Sequence, residues 1–179
     1  MNAKALKWIR VGYQVFAKDG PRGLKIERLA KLLNTSRSSF YHHFSDLNIF
    51  TTALFDYHLQ RSELMCEAAM ACQSMNPDFI NSILAFKEDI LFNRQLRIHR
   101  HLPNYNNYIE QSHTPIEKAF LNIWAKELNL EGNITSAQML LKLVTENFYM
   151  RISEDNLRFD WLENYLNEIV QMTKGIEKK

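Results

Sequence analysis

Apolar residues recur three and four positions apart along most of this chain, and alternation is never sustained, so the pattern predicts helices and no sheet. Trp8, Ile9, Val11, Gly12, Val15 and Phe16 give the face of a first helix over about residues 3–18, closed by Asp19-Gly20. A glycine inside a helix costs stability, so Gly12 predicts a close helix crossing. Ile26, Leu29, Ala30 and Leu33 form a second face, which Asn34-Thr35-Ser36 interrupts. Asn tolerates the left-handed conformation that ends a helix, and Ser36 can cap the next one through its hydroxyl. That next helix is short and opens with Arg37, Ser38 and Ser39.

A long fourth helix is expected from about Ser45, as N-cap, to about Ser74, with Asn76-Pro77-Asp78 ending it and Pro77 opening the next. Beyond it, Phe79, Ile80, Ile83, Leu84, Ile90 and Leu91 predict a helix ending near Phe92, and a shorter one spans Arg94 to Leu102. Asn104 to Ser112 reads as loop or irregular helix, and Thr114-Pro115 as the start of a helix facing inward through Ile116, Ala119, Phe120, Ile123 and Trp124. After Gly132, Thr135 or Ser136 is the expected cap of a helix lined by Leu140, Leu141, Val144, Phe148 and Ile152. Leu157, Trp161, Leu162, Tyr165, Leu166, Ile169 and Val170 line the last. These two final helices are apolar over a wide arc, more than packing on one body needs.

Charge sharpens the picture. The chain's net +2 hides an asymmetry: residues 1–45 hold nine basic groups and two acidic ones, a net of +7, which leaves −5 for the rest. A basic segment on an acidic body suits docking of one end on a polyanion. Two helices joined by a three-residue turn, with Arg and Ser leading the second, form a helix-turn-helix, which sets the start of its reading helix against base edges in the major groove. Arg37 is the candidate base contact, because its planar fork matches a guanine edge. Ser36, Ser38 and Ser39 can bond bases or phosphates, Tyr41 and His43 phosphates, and Lys25 and Arg28 the backbone. His42 completes the candidate set, while Phe40 and Phe44 are expected in the core.

The segment Ser36-Arg37-Ser38-Ser39-Phe40-Tyr41-His42-His43-Phe44, ending in Tyr-x-His-Phe, resembles the reading helix of the TetR/AcrR family of bacterial transcriptional regulators. The first helix, Leu29-Ala30 in the second, and Phe50, Leu54 and Phe55 in the fourth fit the same resemblance, which covers about the first third of the chain. Three positions depart from it. Asn34 stands where the family often has Gly, Leu24-Lys25-Ile26 lacks its usual hydroxyl, and Leu47 takes the place of a Lys that contacts phosphate. The resemblance implies a homodimer through the last two helices and a pseudo-palindromic double-stranded operator.

Other chemistry finds no support in the residues. There is no Cys-x-x-Cys, His-Glu-x-x-His, Gly-x-Ser-x-Gly or phosphate-binding glycine loop, so no catalytic group, metal or cofactor is expected. His42 and His43 diverge by about 100° on a helix. Cys66 and Cys72 fall on different faces of one expected helix, too far apart for a disulfide, and are expected as reduced thiols. No apolar run nears the roughly 20 residues of a membrane span, and no secretory leader is seen, so the expected location is the cytoplasm.

The expected protein is all-α. A three-helix helix-turn-helix domain occupies residues 1–48, and a helical regulatory and dimerisation domain residues 49–179. Phe86, His99, Tyr105, Tyr108, Trp124, Phe148 and Tyr149 are candidates to line a site for a small-molecule effector between helices. The expected function is a ligand-responsive repressor. The alternative is a helical ligand-binding or protein-interaction module whose DNA contact has weakened or been lost.

Overall fold

The computed structural model describes residues 2–176, so Met1 and residues 177–179 at the end of the expected C-terminal domain lie outside it. Among the described residues nine α-helices follow one another: α1 (Ala3–Asp19), α2 (Ile26–Leu32), α3 (Arg37–Tyr41), α4 (Leu47–Ala71), α5 (Ile80–Ala85), α6 (Lys87–Ile98), α7 (Tyr105–Glu127), α8 (Ile134–Arg151) and α9 (Phe159–Ile176). The described residues include no strand, and none of their helices is long and apolar enough to cross a membrane.

The chain divides into two compact units. One holds residues up to Ser62 together with Glu88–Ser112; the other holds Glu63–Lys87 and His113 onward. The first is built on an aromatic core. Phe40 of α3 lies edge-on to Trp8 of α1, with centroids 5.3 Å apart, and meets Phe44 and Phe50 at 5.3 and 5.4 Å. Phe16 and Phe55 extend this core to Phe92 of α6 and Tyr105 of α7. Gly12 is the close crossing that the pattern predicts: a Cβ there would stand 2.5 Å from Cζ of Phe50. Gly20 ends α1 at φ 65°, a conformation most side chains avoid.

In the second unit Phe120 and Trp124 of α7 pack with Ala137, Leu141 and Val144 of α8 and with Tyr165 and Ile169 of α9. The indole of Trp124 donates to the carbonyl of Ala137 at 3.0 Å, and the phenol of Tyr165 to that of Val144 at 2.9 Å. Each of these two buried polar tips therefore finds a partner. Both cysteines are free thiols, Cys66 half-buried and Cys72 buried.

Several boundaries differ from the pattern's reading. Asp46, not Ser45, caps α4: its Oδ1 accepts from the N–H groups of Asn48 and Ile49 at 2.8 and 2.9 Å. A carboxylate there adds charge of the sign that a helix start favours. The helix then stops at Ala71, short of Ser74, and Pro77 sits in an irregular turn, Met75–Phe79, ahead of α5. The helix expected to reach Phe92 breaks at Phe86, at φ −108° and ψ 28°, and restarts at Lys87 with Glu88 and Asp89 in its first turn. It runs on to Ile98 in place of a separate Arg94–Leu102 helix. Of the stretch read as loop or irregular helix, residues 105–112 are helical, since α7 runs unbroken from Tyr105 through Pro115 to Glu127, and Asn104 alone is in a turn, at φ 67°. Asn133 rather than Thr135 or Ser136 caps α8, accepting from the N–H of Ser136 at 3.2 Å. Leu157 is buried just ahead of α9 rather than within it.

Candidate nucleic-acid interface

The turn between α2 and α3 forms as its residues predict. Asn34 adopts the left-handed conformation at φ 50°. The hydroxyl of Ser36 accepts from the N–H of Ser39 at 3.3 Å and lies 2.8 Å from the hydroxyl of Ser38. Phe40, wholly buried, roots the five-residue α3 in the core, and Phe44 is buried behind it. The other face of the segment is left to solvent: Ser36, Arg37, Ser38, Tyr41 and His42 are exposed, Ser39 and His43 half-buried. Tyr41 is a large aromatic left 56% exposed.

All nine basic side chains of residues 1–45 are exposed. Arg28 pairs with Asp19, and Nη1 of Arg37 donates to Oε1 of Glu27 at 2.7 Å. That carboxyl is held below its usual range by its own backbone N–H and by Arg37. Lys25 is exposed at the extended residue before α2 and makes no side-chain cap bond. Leu47 is half-buried against the core, with no polar group to offer a phosphate.

The candidate effector residues divide between the two units. His99, Tyr105 and Tyr108 lie in the first, where both tyrosines meet Phe55 at about 5 Å and burial pushes Tyr105 up to about 12. Phe86, Trp124, Phe148 and Tyr149 lie in the second. There Trp124 is a core residue, and Tyr149 meets His113 at 5.7 Å and Phe148 at 5.2 Å. Among the described residues no cluster of three His, Cys, Asp or Glu could hold a metal ion.

One constellation escapes the sequence pattern. Tyr13, His58, Arg61 and Asp89 form a buried polar network in the first unit. His58 and Arg61, three apart on α4 and so on one helix face, are its faint sequence signal.

Residues 9–46 match the family model described as bacterial regulatory proteins, tetR family. No curated protein matches the chain. Among solved structures, one described as a TetR-family transcriptional regulator from Rhodococcus sp. superposes with a TM-score of 0.55. The alignment covers 95% of this chain and all of that one, at 17% identity, so the likeness is one of fold. The exposed α3 face on a basic head and the matched segment show that residues 9–46 carry a helix-turn-helix similar to that of tetR-family bacterial regulatory proteins, and the all-helical body shares the fold of such a regulator.

Proposed function

We propose that the chain is a repressor that binds a pseudo-palindromic operator in the cytoplasm as a homodimer and is released by a small-molecule effector. The observation that carries this reading is the α3 face, where Arg37, Ser38 and Tyr41 stand exposed above a buried Phe40. Arg37 reads a base edge; Ser36, Ser38, Ser39, Tyr41, His42 and His43 reach bases or phosphates; Lys25 and Arg28 hold the backbone. The dimer reading is supported by α8, which exposes Met139, Leu143 and Met150 at 65%, 70% and 80%. Helix turns of about 100° per residue put these three within about 40° of one another, a single apolar stripe. A second copy covers it, and two reading helices about one DNA turn apart meet two half-sites.

Release is a population shift. An effector that prefers one conformation of the body moves α4, which supplies residues to both units, and changes the spacing of the reading helices. The effect is bounded by its differential affinity for the two states. The effector candidates are taken unit by unit: His99, Tyr105 and Tyr108 in the first, and Phe86, Trp124, Phe148 and Tyr149 in the second.

The test is binding to the DNA upstream of the chain's own coding sequence, at several salt concentrations. Binding falls with salt, Arg37→Ala costs about 1–3 kcal/mol and relaxes selectivity, and Tyr41→Ala weakens all duplexes alike. Variants that bind as the parent does overturn the site. A parent with no salt-sensitive affinity for any duplex overturns the function and favours a ligand- or protein-binding module.

A further inference from the structure

Glu27 lies in the first turn of α2 and Arg37 opens α3, ten residues later and across the turn. Their side chains are 65% and 64% exposed, yet they meet at 2.7 Å. An acidic group on the face offered to DNA repels phosphates and lowers affinity, so its presence beside the leading cation needs a reason. The helix dipoles supply part of one. A cation at the start of α3 faces the positive end of that helix, while a carboxylate in the first turn of α2 is favoured. The bond also uses only one of five guanidinium N–H groups, so a two-donor edge stays open for a guanine. An unrestrained guanidinium in the groove's mouth goes to the nearest phosphate, which carries no sequence information.

We propose that Glu27 is a specificity-determining residue: its bond to Arg37 holds the guanidinium toward base edges and keeps it off the phosphate backbone. This rests on reading Arg37 as a base contact. Glu27 itself touches no base; it is a positioning residue that trades affinity for selectivity.

The experiment uses the full chain and four proteins: parent, Glu27→Gln, Arg37→Ala and the double variant. Both substitutions fall on exposed side chains, and circular dichroism checks the folds. Two duplexes are titrated by fluorescence anisotropy across salt, one enriched by the parent from a randomised library and one scrambled to the same composition. For Glu27→Gln, binding to the scrambled duplex tightens about tenfold, and its log-affinity against log-salt slope steepens by about one unit per protomer. The enriched duplex gains less, so the selectivity ratio falls about tenfold, as when a bidentate base contact is released. In the Arg37→Ala background the Gln substitution leaves that ratio unchanged. Equal effects on both duplexes, with or without Arg37, make Glu27 a simple repelling charge and overturn the inference, while the base-contact reading stands. If Arg37→Ala alone leaves selectivity intact, the base-contact reading fails and takes this one with it.

Discussion

The phenol of Tyr13 on α1 donates to the carboxylate of Asp89 on α6 at 2.7 Å, and the two residues are only 2% and 1% exposed. Arg61 of α4 grips both oxygens of the same carboxylate, at 2.9 and 2.7 Å. Nδ1 of His58 lies 2.6 Å from the Tyr13 oxygen. The phenol has one hydrogen and gives it to the charged acceptor, so Nδ1 of His58 carries the proton of that second bond. Nε2 is then a bare acceptor, and no described residue bonds to it. A buried ion pair adds little net stability over an apolar filling, but removing one of its partners leaves an uncompensated charge. Tyr13→Phe keeps the ring stacked on Phe92, with centroids 4.3 Å apart, and removes only the hydroxyl. It orphans the His58 N–H and one Asp89 lone pair, and the expected loss is about 1–3 kcal/mol in urea unfolding. An unchanged midpoint would mean that the hydroxyl is idle.

The same network sets a pH dependence. Burial is the main cause that brings His58 from 6.5 down to about 4. The folded state keeps the ring neutral while the unfolded chain takes up a proton below about 6.5. The unfolded state binds more protons in that window, so this contribution is complete above pH 6.5 and is lost as pH falls toward 4. Its size is about 3 kcal/mol. Glu88, raised by partial burial and then by Asp89, acts in the opposite sense, so the comparison is with His58→Gln. The parent's stability falls more steeply than the variant's from pH 6.5 to 4; parallel curves would refute the assignment.

Local signals carried the head of the molecule and failed further along. Asn34, Ser36 and Gly12 each act through their own backbone or their own missing Cβ, so one residue type sufficed to place the turn, the cap and the crossing. Boundaries decided by competition between neighbours were not legible. Asp46 outcompetes Ser45 as a cap, and Asn133 outcompetes Thr135 and Ser136, since adjacent residues offer similar oxygens. Pro115 reads as a helix start, but α7 is anchored by Tyr105 on one side and by Phe120 and Trp124 on the other. Packing at both ends outweighs one missing N–H. The Tyr13 network joins residues 45 and 76 positions apart, a relation that no window of helical spacing contains. On the candidate interface, the residue types proposed Arg37, but its partner Glu27 became visible only once the turn brought the two helix starts together.

Gly12 tests packing against propensity. Alanine is the better helix former by about 1 kcal/mol, yet its methyl would stand 2.5 Å from Phe50, which is wholly buried and cannot swing aside. Gly12→Ala is expected to cost about 1–3 kcal/mol net, as overpacking does. Gly132, where an added methyl would meet nothing within 4 Å, is the control: Gly132→Ala shifts stability by no more than about 0.5 kcal/mol. Equal urea midpoints for the two variants would show that Phe50 yields.

The α8 stripe separates folding from assembly. Leu143 is 70% exposed, so Leu143→Glu removes little from the fold of a single chain, within about 0.5 kcal/mol. In the proposed dimer the same change sets a carboxylate against the apolar Met139 and Met150 of a second copy. Burying an unpaired charge costs about 3 kcal/mol or more, which weakens dimerisation on the order of a hundredfold. Sedimentation at micromolar concentration should then show parent dimers and variant monomers with the same helical signal. Operator affinity should fall with the dimer, because a lone head keeps its contacts to one half-site and loses the second. A variant that remains dimeric would move the interface off this stripe, and a monomeric parent would remove it altogether.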